Sequence, residues 1–289
     1  MIKMFLKKLI FLFFGSFIFI LFPLFISLRK DSIYVINYHA TYPDHNKNFL
    51  KQILFYKKYF NFVDENYFFK VKKFKSNKPK LLITFDDGHV SNLDVLNILK
   101  KYKIPASFFV PYSFINRKRA KNILNENKIT NKKFNIISDL NKDISNKYKS
   151  LSININQLIQ LKKMKFSIGV HGYSHIRLSE NLSKKLLSKE IITSKKLLEK
   201  KLKIKIKSFC WTFGDKNAYS KKASNLIKKN YKLSFMTCCK PHNLKQNLLQ
   251  IHRFNIENFF SLAEVAFVLS GIYELIYFNK RKFVNKLTK

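Results

Sequence analysis

From residue 81 onward, short apolar runs alternate with stretches whose leucines and isoleucines recur every three or four positions. The run Leu81-Leu82-Ile83-Thr84-Phe85 has the length and near-continuous hydrophobicity of a strand buried on both faces. Leu93, Leu96 and Leu99 follow at helical spacing. Further strands are predicted over 32–37, 104–111, 166–170, 208–213, 231–237 and 248–256, and helices over 155–164, 182–202 and 220–229. The clearest helix is 182–202, where Leu182, Leu186, Leu187, Ile191, Leu197 and Leu198 fall on one period. Strands alternating with helices predict an α/β fold whose parallel sheet carries helices outside, as a barrel or as an open sheet. Periodicity is weak over 39–79, and 115–150, rich in Asn, Lys and Ser, reads as a loop-rich excursion.

The two ends of the chain have a different pattern. Leu9 to Leu28 is a run of twenty uncharged residues, roughly 30 Å as a helix, the thickness of a bilayer core. It is longer than the apolar stretch of a signal peptide and has no small-residue cleavage site, so an uncleaved transmembrane anchor is expected. Lys3, Lys7 and Lys8 precede it, which favours a single-pass protein of the cell membrane with its large domain outside the cytoplasm. The apolar tail over 259–278, broken by Glu264, Gly271 and Glu274, reads as an amphipathic helix packed on the domain. The expected division is therefore an anchor at 1–30, a lead-in at 31–79, a catalytic domain at 80–258 and a C-terminal helix with a basic tail at 259–289.

Composition changes this picture little. The 56 Lys and Arg against 17 Asp and Glu give a formal charge of +39, yet the lysines are spread over nearly the whole chain among Asn, Ile and Phe. That distribution reads as a solvated surface, and no nucleic-acid-reading motif accompanies it, so no nucleic-acid partner is expected. The three cysteines, Cys210, Cys238 and Cys239, form no disulfide framework and read as buried small hydrophobes.

The candidate chemistry lies at predicted strand ends. Thr84-Phe85-Asp86-Asp87-Gly88 puts two carboxylates where a buried strand meets a turn, and their side chains point different ways. One can bind a metal and the other can act as a base. His171-Gly172-Tyr173-Ser174-His175 supplies two imidazoles at the next such junction. One carboxylate with two imidazoles and a position left for water is a ligand set for a catalytic divalent ion. Trp211, Phe213, His252 and Arg253 lie at or near two further strand ends, the edge at which parallel α/β folds place their sites.

Thr84 to Gly88, the His171/His175 pair, Tyr38-His39, the Pro105 to Val110 strand and the Glu190 to Glu199 helix resemble the motifs of the polysaccharide deacetylase family, also called NodB-homology or carbohydrate esterase family 4. The resemblance covers roughly 32–278 and implies a distorted, seven-stranded (β/α) barrel that removes N-acetyl or O-acetyl groups from carbohydrate. It implies Asp86 as general base, Asp87, His171 and His175 as ligands of a divalent metal, Zn or alternatively Co, Ni or Fe, and His252 of Leu249-Gln250-Ile251-His252 as general acid. Tyr173, Trp211, Phe213 and Arg253 are the candidates for substrate contact. The implied partner is an acetylated glycan or lipid-linked sugar of the cell envelope, with a catalytically silent glycan-binding relative as the alternative. Three positions depart from the family pattern: Gly172 replaces Ser/Thr, Thr212 stands where many members have Pro, and Cys210 where some have an Arg that steadies the catalytic Asp. An Asp-Trp motif is also absent.

Overall fold

A computed structural model describes residues 2–73, 77–115 and 152–289. The excursion expected over 115–150 lies, apart from Ile115, outside the described residues. In chain order the elements are α1 (Ile2–Ser27), β1 (Ile33–Tyr38), α2 (Asn46–Tyr59), β2 (Asn61–Phe62), α3 (Tyr67–Lys70), β3 (Lys80–Phe85), α4 (Leu96–Lys101), β4 (Ala106–Val110), α5 (Ile155–Lys163) and β5 (Ser167–Val170). There follow α6 (Lys184–Ser188), running through a π turn into α7 (Ser194–Leu202), then β6 (Ser208–Cys210), α8 (Lys221–Asn230), β7 (Leu233–Met236), β8 (Ile251–His252), β9 (Phe254–Asn255), α9 (Leu262–Leu269), α10 (Ile272–Ile276) and α11 (Phe278–Leu287). Side chains set several of the helix starts. Asn154 and Gln157 make a capping box for α5, Ser261 and Glu264 make one for α9, and Ser220 caps α8.

All the strand pairs are parallel, in the order β8-β7-β6-β5-β4-β3-β1-β9, with β2 added beside the start of β3. The two outermost strands, β8 and β9, are consecutive in the chain and separated by Arg253 alone, so the sheet is an eight-stranded, nearly closed barrel. The seven strands expected become eight because 248–256 is not one strand. Its Ile251–His252 pairs with β7, its Phe254–Asn255 pairs with β1, and the chain turns the seam of the barrel at Arg253.

Alternation along the strands builds two cores. Ile33, Val35, Leu82, Phe109, Cys210, Leu233, Phe235 and Ile251 fill the barrel interior, whereas Tyr34, Ile36, Leu81, Ile83, Phe85, Phe108 and Phe209 face the surrounding helices. Burial on both faces explains why the strands read as continuous apolar runs. Gly169 is required on β5 by close approach, since a Cβ there would lie 2.2 Å from Phe109 and 2.8 Å from the Ser208 hydroxyl.

The expectation of a membrane-spanning anchor is not met. Among the described residues no helix is long and apolar enough to cross a membrane. The apolar run does form α1, but its second half packs on the domain: Ile18, Phe22 and Ile26 are buried, with Phe22 against the rings of Phe55, Tyr59 and Phe60. The tail expected as one amphipathic helix is three, α9 to α11, broken first at Gly271, whose φ of +112° is left-handed.

Glu65 is buried and accepts a hydrogen bond from Ser208 Oγ (3.1 Å), and burial pushes its pKa up to about 7. Because the folded value exceeds the unfolded one, its stabilising effect is complete below about pH 4.5 and is lost as pH rises through 7. The loss amounts to roughly 3 kcal/mol at about 1.4 kcal/mol per pH unit. Thermal melts of the wild type are therefore expected to drop between pH 5 and pH 8, and those of Glu65→Gln to drop much less.

Candidate active site

The site sits at the carboxyl ends of β1, β3, β5 and β6 and at the β8–β9 seam, and strand parity aims its side chains. Residues 82 and 84 face the barrel axis, so Asp86, next in that series, is directed into the barrel mouth and is 2% exposed. There it meets Arg253. Nη1 donates to Asp86 Oδ1 (2.7 Å) and to Thr84 Oγ1 (2.9 Å), and Nη2 donates to Asp86 Oδ2 (2.6 Å). Burial alone would raise the Asp86 pKa, but the guanidinium outweighs it and holds the carboxyl below its usual range. Cys210, inward-facing on β6, lies against the same pair, 2.9 Å from Nη2, and burial raises its thiol pKa well above the ordinary value.

Asp87 turns away from the axis through a left-handed φ of +65° and faces both histidines. Its Oδ1 lies 3.4 Å from His171 Nε2 and 3.1 Å from His175 Nε2, and the three donor atoms lie within 4.8 Å of one another. His171 Nδ1 lies 2.9 Å from the Cys210 carbonyl oxygen, which can only accept, so the proton sits on Nδ1 and Nε2 presents a lone pair. Two imidazoles and a carboxylate converging this way fit a divalent metal of the zinc type.

Buried polar contacts hold the histidine loop in place. Glu190, 1% exposed, accepts from the backbone N–H groups of Tyr173 (2.7 Å) and Ser174 (2.8 Å). Gly172 has φ +80°, and a Cβ on it would come within 2.9 Å of Glu190 Oε2, which accounts for glycine at a position where Ser or Thr is usual. Thr212, where many members have Pro, donates from Oγ1 to the Ile176 carbonyl and ties the β6 end to this loop (2.5 Å). Phe213, at φ +58°, packs on the His175 ring at 4.8 Å between centroids, and the Arg177 guanidinium lies 3.9 Å from the Phe213 ring centroid.

The structure brings together Asp86, Asp87, His171 and His175 but not His252. The His252 ring faces the C-terminal helix, with Nε2 2.9 Å from Asn285 Oδ1, and burial, followed by the neighbouring Arg281 and Lys240, pushes its pKa down to about 3. A neutral imidazole whose Nε2–H is directed to the Asn285 amide oxygen is a weak acid facing away from the Asp/His cluster. The substrate candidates divide. Trp211 is 1% exposed, with its Nε1 donating to Ser234 Oγ, and Arg253 is enclosed with Asp86, whereas Tyr173 and Phe213 are half-buried beside the histidines.

His39, at the end of β1, is the member that strand pattern and spacing left without a role. Its Nδ1 lies 2.9 Å from Glu257 Oε1. Burial lowers its pKa, but Glu257, with smaller contributions from Asp87 and Asp86, reverses that and raises it to about 9. The signal was the placement itself, because Tyr38-His39 ends a strand just as Asp86 and His171 do.

Breaking the Asp86–Arg253 pair is expected to cost about 3–5 kcal/mol in Arg253→Met, because a buried carboxylate is left uncompensated. The added Asp86→Asn should recover much of that loss in urea melts of the double variant.

Several comparisons bear on this arrangement. No curated protein matches the sequence. Solved structures match in fold: BC0361, a polysaccharide deacetylase from Bacillus cereus (TM-score 0.61, 17% identity, 82% of this chain and 69% of that one), IcaB from Ammonifex degensii (TM-score 0.62, 15%, 84% and 97%) and a de-N-acetylase from Aggregatibacter actinomycetemcomitans (TM-score 0.59, 16%, 83% and 100%). The sequence profile described as Polysaccharide deacetylase matches residues 73–231, more than half of the chain, and that span contains both aspartates, both histidines and Cys210. With that match over β3 to β6 and the Asp and His motifs they carry, the chain belongs to the polysaccharide deacetylase family of hydrolases.

Proposed function

We propose that the protein removes acetyl groups, N-linked or O-linked, from a cell-envelope or exported carbohydrate in a metal-dependent hydrolysis, and that the catalytic domain therefore works outside the cytoplasm. The observation that carries this is the meeting of Asp87, His171 and His175 beside a separately held, ionised Asp86. Asp87 Oδ1, His171 Nε2 and His175 Nε2 would hold the metal, with zinc the best match to two imidazoles and one carboxylate. Bound there, the ion would supply Lewis-acid chemistry, polarising the acetyl carbonyl and lowering the pKa of a bound water to about 7.

The protein's own groups do the remaining work. Asp86 is the base: the guanidinium favours its ionised form and takes one lone pair of each oxygen, leaving the others to accept the water's proton. His39, rather than His252, is the acid that protonates the departing amine or alkoxide, because Glu257 keeps its ring charged. Tyr173 and Phe213 offer partly exposed rings at the mouth against which a sugar can lie, while Glu190 and Thr212 fix the loop that carries both histidines.

Acetate release from N-acetylglucosamine oligomers and lipid-linked sugars, measured on metal-free and zinc- or cobalt-loaded protein, tests the proposal. Release is expected only with metal, and is expected to vanish in Asp86→Asn and His171→Ala. Metal binding with no release from any acetylated glycan in the wild type would point instead to a silent glycan-binding relative.

The acid is tested separately. His39→Ala should lower kcat by roughly 10²–10⁴, the usual contribution of a positioned acid, whereas His252→Ala should leave it nearly unchanged. Since the Glu257 carboxylate raises the His39 pKa, Glu257→Gln lowers it, and the alkaline limb of the kcat profile should move to lower pH.

A further inference from the structure

Among the described residues most of the exposed large apolar side chains lie on α1 and the C-terminal helices, with Leu54, Phe69, Leu186 and Leu244 elsewhere. Along α1, Gly15, Ile18, Phe22 and Ile26 form the stripe that packs on the domain. A second stripe with the same spacing, Phe17, Ile20, Leu24 and Leu28, points outward, with Ile20 73% and Leu28 76% exposed. A helix packed on a water-surrounded domain normally shows water a polar face, and this one does not.

The stripe continues across an ion pair. Arg29, next to Leu28, is bonded to Glu274, next to Leu275, and its guanidinium covers Gly271. Leu275, Ile276 and Phe278 are exposed in their turn, with Leu275 at 76%. The outward side of α11 then carries Phe278, Lys282, Phe283 and Lys286. Lys30 and these lysines edge the apolar strip, Glu274 within it is neutralised by Arg29, and Asp31 at its end lies beside Lys30. An exposed apolar patch of this extent marks an interaction surface.

We infer that this face, built from the outer stripe of α1 with α10 and α11, lies on an anionic lipid surface. Apolar side chains enter the headgroup boundary, to a depth of about 5–10 Å for such faces, and the lysines meet the lipid charges. The contact lies in the plane of the membrane and does not cross it. A second copy of the chain fits less well, because a two-fold interface would set Lys30, Lys282 and Lys286 against a like-charged rim. The inference does not depend on the deacetylase chemistry.

Flotation of the full-length protein with vesicles tests it. The protein is expected to float with phosphatidylcholine vesicles containing phosphatidylglycerol, far less with phosphatidylcholine alone, and to be released by sodium carbonate. Ile20→Glu with Ile276→Glu should reduce the bound fraction at least about tenfold. Both side chains already face solvent, so the circular dichroism spectrum and the melting temperature should stay as in the wild type. Leu186→Glu, at an exposed leucine on α6, should float as the wild type does. Flotation unchanged by the paired glutamates would overturn the inference, as would resistance to carbonate. A concentration-dependent dimer in light scattering that the same pair dissociates would assign the face to a second copy instead.

Discussion

The Asp86–Arg253 pair is the interaction on which both the barrel and its mouth depend. Arg253 occupies the single residue between β8 and β9, its N–H donates to the Met236 carbonyl on β7, and its own carbonyl accepts from Cys239. Its side chain crosses the mouth to Asp86 and Thr84 at the end of β3. One residue thus turns the seam and reaches past β1 to the end of β3, the next strand but one from β9 in the sheet order. Two charges withdrawn from water are costly unless their geometry and hydrogen bonding are complete, and here both oxygens of the carboxylate are engaged by a forked donor. The contact that orients the ionised carboxylate also fixes how the barrel closes.

Around that pair the site concentrates conformations that are unfavourable elsewhere. Asp87, His175 and Phe213 all have left-handed φ without being glycine, and Gly172 sits beside them at +80°. Such residues persist only where their surroundings over-determine them. Here the surroundings are Glu190 gripping two backbone N–H groups, Thr212 tying two loops, and the rings of Phe114 and Phe213 packed on His175. Side chains fixed in this way suit the proposed metal site, which loops alone would hold less well.

The departures from the family pattern belong to the same network. With Cys210 on β6, where some members carry an arginine, the guanidinium that meets Asp86 comes from the seam, and the smaller thiol leaves room for it. Gly172 makes room for Glu190, and the Thr212 hydroxyl makes a hydrogen bond that proline could not. Each change is compensated by a neighbour close to it in space and distant in sequence.

What the sequence by itself determined is local. Strands buried on both faces announce themselves as apolar runs, helices as three- and four-residue periods, and a strand end carrying Asp-Asp-Gly or His-Gly-Tyr-Ser-His is legible because only neighbouring residues are involved. The β3, β4 and β5 strands, the helical stretch ending at Leu202 and the four-residue Asp/His cluster were visible on those grounds. Only tertiary structure could decide the rest, since it depends on which distant segments meet. The seam splits one apolar run into β8 and β9, and the same turn sends His252 to Asn285 while Arg253 goes to Asp86. His39 gains its charge from Glu257, 218 residues away. The α1 helix illustrates both halves: its apolar length was plain in the sequence, but that one stripe of it would find Phe55, Tyr59 and Phe60 depended on where the fold placed α2. Hydrophobicity says that a surface will be withdrawn from water, and only the assembled fold says against what.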